Sequence, residues 1–289
     1  MKYQDGAFLG LPKEFTTKES KYAILPVPYE GTVCFKKGTA KAPQAIIDVS
    51  PQMEWFDDEL RQECYTCGIE TKPAVKAARS PEKQIANVKK AVDGIVANEQ
   101  FPIMIGGEHS ITLGAVQALS EVYPDLTILQ IDAHADLRDE FDGSKYSHAC
   151  VMRRCLEHTP NLVQVGIRSF SLEESQQCPI QIANLFTPHI MRYLPNWIDS
   201  VVQKIKGPVY ISIDMDGLDP SIAPGVGTPE PDGLTWVQVT SLLRNVFNNH
   251  QVVGADIVET IPNQGANVTE FIAAKLAYKI ICYNESADN

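Results

Sequence analysis

The chain has 289 residues, of which 44% are hydrophobic, so it is long enough to bury a substantial core. Its formal net charge at pH 7 is −11. This acidity argues against nucleic-acid partners, because a nucleic-acid-binding protein normally carries a basic face that neutralises phosphates. A small cationic ligand is more compatible with the negative charge, although in many acidic proteins the charge serves only to keep the protein soluble.

Two further features of the composition predict a cytoplasmic protein with no membrane partner. The first residues, Met1 to Asp5, precede no apolar signal stretch, and no run approaches the roughly 18 apolar residues of a membrane span. The seven cysteines are scattered and odd in number, which is typical of reduced thiols rather than of a disulfide framework. Cys64 and Cys67 form a CxxC pair, but no second pair follows at zinc-site spacing, so ordinary thiols are favoured.

Short apolar segments alternate with amphipathic segments along the chain, and no repeat or linker divides it. Segments rich in β-branched residues predict strands at 22–27, 102–105, 126–131, 162–165, 209–213 and 252–257. Apolar residues at three- and four-residue spacing predict helices at 81–97, 113–122, 196–206, 235–248 and 269–283. Strands that are apolar on both faces need helices on each side, so we expect one domain, residues 1–289, with a three-layer α/β/α architecture.

The unusual polar clusters all follow predicted strands, at the sheet edge where α/β proteins bind ligands. The first cluster is a tight glycine turn that presents a histidine, Gly106-Gly107-Glu108-His109-Ser110. Taken alone, it fits a structural histidine at a helix start equally well.

The second cluster, Asp132-Ala133-His134-Ala135-Asp136, has polar residues at alternate positions. In an extended chain such side chains face the same way, so three candidate metal ligands point into one space. Two carboxylates this close repel each other when buried, and a divalent cation removes that cost. The alternative is a solvated surface loop.

The third cluster, Asp214-Met215-Asp216, again places two carboxylates on one face after a strand. Asp219, beside Pro220, is predicted to form a turn instead. The clusters together offer four carboxylates and two imidazoles, which are more ligands than one metal needs and therefore favour two divalent ions. Oxygen and nitrogen ligands suit manganese, but they leave zinc, cobalt, nickel and iron open.

In order and separation, these three clusters resemble the signature motifs of the arginase/agmatinase ureohydrolases, and most closely those of bacterial and archaeal agmatinases. The third motif continues to Ala223-Pro224-Gly225, and the similarity extends from Pro28-Tyr29-Glu30-Gly31-Thr32 to the final helix. The resemblance implies the arginase-like fold, whose central sheet has eight mainly parallel strands. It also implies a homo-oligomer, either a trimer or a hexamer.

For the active site, the resemblance implies two Mn²⁺ ions per subunit. One ion would be bound by His109, Asp132, Asp136 and Asp214, and the other by Asp132, His134, Asp214 and Asp216.

Two more residues complete the implied site. His148, in Tyr146-Ser147-His148-Ala149, matches a family histidine that relays protons at the substrate; an exposed loop histidine is the alternative. Glu259 matches the family carboxylate that binds the substrate's guanidinium, although a helix-start acid would also explain it. Asp256, within the predicted strand, is expected to be structural.

The implied reaction is hydrolysis of agmatine to putrescine and urea, a step of polyamine biosynthesis. A metal-bridged hydroxide would attack the guanidinium carbon, and Asp136 would pass its proton to the departing amine. The loop from Leu137 to Ser147 carries Asp139, Glu140 and Asp142, whereas arginases carry Asn and Ser there, so an amine-tailed substrate is favoured.

The sequence is also compatible with other substrates and other functions. The segment 262–269 departs from many agmatinases, so aminopropylagmatine, guanidinobutyrate and arginine are alternative substrates of the same chemistry. A non-catalytic metal-binding protein and a one-zinc deacetylase are alternatives from other classes. The complete set of six ligands argues against both.

Overall fold

Residues 6–263 and 265–287 are described by a computed structural model of the chain. Met1 to Asp5, which precede no predicted signal stretch, lie outside these ranges. So does Gln264, which belongs to the segment that departs from the agmatinase pattern. Within the described ranges, no helix combines the length and the apolar character that crossing a bilayer requires.

The described residues form nine strands and ten α-helices. The strands are β1 (Tyr22–Val27), β2 (Phe56–Asp57), β3 (Gln62–Glu63), β4 (Ile69–Thr71), β5 (Phe101–Gly106), β6 (Thr127–Ile131), β7 (Asn161–Val165), β8 (Val209–Asp214) and β9 (Val252–Val258). The helices are α1 (Ala42–Val49), α2 (Pro81–Val96), α3 (Thr112–Val122), α4 (Val151–Cys155), α5 (Leu172–Gln177), α6 (Pro179–Ile182), α7 (Pro188–Tyr193), α8 (Trp197–Lys204), α9 (Trp236–Asn249) and α10 (Val268–Ala287).

Seven of these strands form one sheet in the order β4-β1-β5-β9-β8-β6-β7, and every neighbouring pair is parallel. The strands β2 and β3 form a separate antiparallel pair. Because all strands of the main sheet run the same way, their carboxyl ends lie at one edge. The chain therefore brings the ends of β5, β9, β8 and β6 side by side at the centre of that edge.

Helices cover both faces of the sheet, as the alternation of strand side chains requires. In β5, Ile103 and Ile105 pack into the core shared with α1, α8, α9 and α10, whereas Met104 packs into the core shared with α2, α3 and α4.

Local capping helps to fix the helix ends. Thr235 accepts a hydrogen bond from the Gln238 backbone N–H, and the Gln238 side chain returns to Thr235, so α9 begins at Trp236.

The predicted three-layer α/β/α architecture is confirmed, but the prediction of eight strands is wrong by one. Beyond β7, Phe186 makes a single parallel bridge to Val165, with backbone hydrogen bonds to Gln164 and Gly166. The next residue, Thr187, caps α7 through the backbone N–H of Ile190. Since the chain turns into a helix at once, the eighth strand position is reduced to one bridged residue.

A buried ion pair fixes α10 against the segment around β2. The Lys279 side chain is almost fully buried, and its Nζ lies 2.8 Å from Oδ2 of the buried Asp57 and 2.9 Å from Oε2 of Glu59. Burial favours the neutral form of Asp57, but the hydrogen bond and charge of Lys279 outweigh it and lower the pKa of Asp57. Removing Lys279 would leave an uncompensated buried charge.

We therefore expect Lys279→Met to lower the free energy of unfolding at pH 7 by about 3–5 kcal/mol, measured by urea denaturation. Lys275→Met, one turn earlier on the same helix, should cost less than about 0.5 kcal/mol, because Lys275 forms no ion pair within the described chain. The cost of removing Lys279 should shrink as the pH falls below about 4, because protonation of Asp57 then removes the negative charge that Lys279 stabilises. An equal cost at pH 7 and pH 3 would contradict this account.

Candidate metal centre

The three polar clusters meet at the carboxyl ends of the four central strands. His109 follows β5, Asp132 follows β6, and Asp214 ends β8. Glu259 follows β9, which lies between β5 and β8. The fold thus collects residues that are far apart in the sequence into one site, at the edge where the sequence predicts it.

The first half of the site surrounds His109. Its Nδ1 atom lies 3.0 Å from Oδ2 of Asp136, 3.1 Å from Oδ2 of Asp132 and 3.4 Å from Oδ2 of Asp214. Ligand atoms of His109, Asp132 and Asp214 all lie within 4.8 Å of one another, and all three residues are buried. This spacing suits a single ion bound between them.

The second half of the site shares Asp132 with the first. His134 Nδ1 lies 3.0 Å from Oδ2 of Asp216 and 3.7 Å from Oδ1 of Asp132. These three residues also offer ligand atoms within 4.8 Å of one another. The structure therefore brings all six predicted ligands into one group, called the ligand cluster below: His109, Asp132, His134, Asp136, Asp214 and Asp216.

The hydrogen bonds behind His109 show that the ligand cluster fits cations. Ser212 Oγ donates to Asp256 Oδ1 at 2.7 Å and lies 2.9 Å from His109 Nε2, so His109 carries its proton on Nε2. Burial opposes protonation of His109, but the three carboxylates that face its buried Nδ1 raise the pKa of His109 well above its ordinary value. In the protein alone a proton on Nδ1 balances these carboxylates, and a divalent cation bound there would take its place.

The protonation equilibria of the cluster lead to the same conclusion. Burial and the neighbouring charges of Asp216 and Asp132 raise the pKa of Asp214 well above its ordinary value. Burial and the charge of Asp132 likewise raise the pKa of Asp136. Burial opposes protonation of His134, but the nearby Asp216 raises its pKa to about 12. Protons thus balance part of the negative charge of the protein alone, and bound cations would displace them.

Other buried side chains hold the ligands in place. Gln130 Nε2 donates to Asp132 Oδ2 at 2.6 Å, and Gln164 Nε2 donates to Gln130 Oε1 at 2.6 Å across β6 and β7. Sequence reasoning missed both glutamines. A polar residue inside an otherwise apolar strand was the available signal. Asp256 also accepts from Tyr210 and Thr112, in agreement with its expected structural role.

A cleft of ≈ 160 Å³ opens onto the ligand cluster. His148 and Glu259 both line it, so the structure places the two remaining predicted site residues beside the cluster. Its outer wall contains Phe35, Lys36 and Arg138 with other residues, and sequence reasoning assigned no role to Phe35 and Lys36. Both lie on the segment after β1, which is distant in sequence from the ligand cluster, so no local pattern marks them.

The backbone around Glu259 is tightly constrained. Glu259 adopts a φ of 62°, and its Oε1 accepts a hydrogen bond of 2.7 Å from the backbone N–H of His109. Burial and the charge of Glu108 raise the pKa of Glu259 to about 8. At Gly107 a Cβ atom would lie 1.9 Å from the carbonyl oxygen of Tyr29, so only glycine fits. Strained backbone of this kind is typical of functional sites.

Two smaller predictions concern residues outside the cluster. Asp219 forms the predicted turn, because its carboxylate accepts backbone hydrogen bonds of 3.0 Å from Ser221 and from Gly233. Cys64 and Cys67 are free thiols, and Cys67 Sγ donates to the backbone carbonyl of Cys64.

Comparisons with known proteins agree with this geometry. The family model described as "Arginase family" matches residues 20–282. The N(1)-aminopropylagmatine ureohydrolase of Synechocystis sp. is 40% identical and aligns with 96% of this chain and 95% of its own length. The agmatinase of Bacillus cereus is 34% identical, with 85% of each chain covered. Among solved structures, agmatine ureohydrolase of Thermoplasma volcanium superimposes with a TM-score of 0.84 at 34% identity, covering 93% of this chain and 91% of that chain.

If the ligand cluster binds two ions, removal of its shared carboxylate should disturb both. We expect Asp132→Asn, dialysed against micromolar Mn²⁺, to retain less than about one ion per chain, whereas the unaltered protein retains two. Asp219→Asn is the matched control, since Asp219 lies at the same sheet edge but outside the cluster, and it should retain two ions. Metal analysis by mass spectrometry measures the difference, and two ions in Asp132→Asn would contradict the assignment.

Proposed function

Because the chain belongs to the arginase family and is a hydrolase of guanidino C–N bonds, we propose that it is a binuclear manganese ureohydrolase acting on a guanidino-bearing polyamine. The substrate would be agmatine or N1-aminopropylagmatine. The observation that carries the proposal is that the ligand cluster, five of whose six residues line the cleft, lies beside the buried carboxylate of Glu259. Divalent ions bound there would activate water as the nucleophile and act as Lewis acids.

The protein's own groups would orient the substrate and move its protons. Glu259 would bind the planar guanidinium through parallel hydrogen bonds and hold its carbon toward the ligand cluster. Asp136 would take a proton from the nucleophilic water and pass it to the departing amine as the C–N bond breaks. His148 would exchange protons between the cleft and solvent. One water is consumed, and urea and an amine leave.

We favour N1-aminopropylagmatine as the substrate, with agmatine accepted as a shorter version. The relatives in Synechocystis sp. and Thermus thermophilus that carry that name are 40% and 36% identical to this chain, against 34% for the Bacillus cereus agmatinase. Phe35 lines the cleft with a side chain that is 68% exposed, which suits contact with the methylenes of a long tail.

One observation favours a second candidate, a guanidino acid such as guanidinobutyrate or arginine. Lys36 and Arg138 both line the cleft, and among the described residues no carboxylate lies within ion-pair distance of either. Arg138 instead lies over the ring of Phe141, at 5.2 Å from its centroid. A substrate carboxylate could pair with these cations, whereas an amine would be repelled by them.

Urea release from a panel of substrates separates the two candidates. With manganese, we expect kcat/KM to fall in the order N1-aminopropylagmatine, agmatine, guanidinobutyrate, arginine. Lys36→Glu should raise kcat/KM for the amine-tailed substrates by about 5-fold and lower it for the acids, because the exposed charge changes sign. Urea from arginine alone, or the opposite response to Lys36→Glu, would overturn the choice of substrate and leave the reaction class standing.

The role of Glu259 can be tested separately from metal binding. Glu259→Gln should lose about 2–5 kcal/mol of transition-state stabilisation, measured from kcat/KM, because a neutral amide cannot pair with the guanidinium charge. Its metal content should stay at two ions per chain. Glu121→Gln, a change to an exposed acid in the last turn of α3 that does not line the cleft, serves as the control and should behave as the unaltered protein. Full turnover by Glu259→Gln would refute the assignment.

The assembly and cellular location that the resemblance implies also remain proposals. We propose a homo-oligomer, a trimer or a hexamer, in the cytoplasm. Support comes from Leu172, Ile180 and Tyr193, which are 74%, 72% and 74% exposed on the consecutive helices α5, α6 and α7. Large apolar side chains grouped on one segment are typical of a protein interface.

A further inference from the structure

The Thr32 hydroxyl lies between a buried carboxylate and the histidine of the cleft. Thr32 Oγ1 is 2.8 Å from Oε1 of Glu108, which is fully buried. It is also 3.0 Å from the backbone N of His148 and 3.2 Å from Nδ1 of the His148 ring. Two residues that are remote from Thr32 in sequence, Glu108 and His148, therefore meet at its hydroxyl oxygen.

The hydrogen-bond capacity of Glu108 decides the direction of these contacts. Besides Thr32 Oγ1, Glu108 faces the backbone N–H groups of Gly31 and Thr32, each at 2.6 Å, and Ser110 Oγ at 2.5 Å. Two of these four neighbours are backbone N–H groups, which can only donate, and the two hydroxyls donate to Oε1, so the carboxylate accepts from all four. The single proton of the Thr32 hydroxyl is therefore committed to Glu108.

The remaining capacity of Thr32 fixes the ring of His148. A hydroxyl whose proton is already donated has only its two lone pairs left, and both must accept. One accepts the backbone N–H of His148, and the other accepts from the ring, which requires a proton on Nδ1. Ser147 Oγ lies 3.3 Å from the same Nδ1 and can accept there as well. The opposite nitrogen, Nε2, then carries the lone pair.

The other side of the ring faces the cleft. His148 Nε2 lies 3.7 Å from Sγ of Cys34, and both residues line the cleft beside the ligand cluster. The ring of Phe141 meets that of His148 edge-on, with centroids 5.9 Å apart, and restricts its rotation. The basic nitrogen is thus directed toward the space where a substrate would bind.

We propose that Glu108 and Thr32 are positioning residues that hold His148 as the Nδ1–H tautomer, with Nε2 free to take up a proton in the cleft. The inference rests on the proposed function in one respect, namely that His148 exchanges protons during turnover. The orientation itself depends on hydrogen bonds that involve no metal ligand side chain. Glu108 also binds the backbone at Gly31 and Thr32, so it anchors the segment that continues into the cleft wall.

The tautomer can be measured directly by ¹⁵N NMR of histidine-labelled protein at pH 8, with Mg²⁺ added and His148 assigned by its loss in His148→Asn. We expect the unaltered protein to show a protonated Nδ1 and an unprotonated Nε2. Thr32→Val has nearly the same shape but no hydroxyl, and it should lose this preference. Thr32→Ser should retain it. A protonated Nε2 in the unaltered protein would overturn the inference, even if every variant failed to fold.

Kinetics of the manganese-loaded enzyme provide the second readout. Thr32→Val should lower kcat on the order of 10²-fold, with KM and metal content unchanged, because proton transfer by a side chain contributes at least that much. Thr32→Ser should restore kcat. Ser147→Ala removes the other contact of Nδ1 and should leave kcat within about 3-fold, since among the described residues no carboxylate fixes the direction of the Ser147 hydroxyl proton as Glu108 does for Thr32.

The two proposals fail in different ways. Unchanged kcat in Thr32→Val, or a larger loss in Ser147→Ala than in Thr32→Val, would overturn the positioning role while leaving urea hydrolysis intact. If the unaltered protein releases no urea from any guanidino compound, the proposed function fails, and the NMR measurement still decides the tautomer.

Discussion

The repulsion among four buried carboxylates is the constraint on which the site depends. Asp132, Asp136, Asp214 and Asp216 converge at one edge of a fully parallel sheet, together with two histidines. Such crowding is stable only if positive charge is present, from protons or from metal ions. The four central strands keep the carboxylates close, and the hydrogen bonds behind them keep their lone pairs directed inward. The scaffold thereby pre-organises a site for divalent cations.

Much of the fold could be predicted from periodicity alone, because long buried strands and amphipathic helices leave clear patterns. All six predicted strands and all five predicted helices are present, and α10 extends four residues beyond its predicted end at residue 283. The missed elements are short. The strand β4 has three residues, and α5, α6 and α7 have between four and six. Helices of that length are set by caps such as Ser171 and Thr187, and they contain too few turns to show a period.

The candidate site was predictable to the extent that its residues stand in short local patterns. The second and third clusters show their spacing within five residues of sequence, and each follows a predicted strand. The supporting contacts have no such signature. Thr32 and His148 are separated by 116 residues, and Ser212 and Asp256 by 44. Only the three-dimensional arrangement shows that these pairs meet, so the cluster could be predicted while its surroundings could not.

The adjacency of Glu108 and His109 constrains how this protein can diverge. One residue anchors the cleft wall, the next belongs to the ligand cluster, and Gly107 before them touches the backbone of Tyr29. A shift of this turn would move wall and cluster together, so neither can be altered alone by changes there. Phe35 and Lys36 at the rim are exposed, and neither belongs to the ligand cluster nor to the turn that anchors the cleft wall. Substitutions of Phe35 or Lys36 would therefore reshape the rim without displacing the ligand cluster at the base of the cleft.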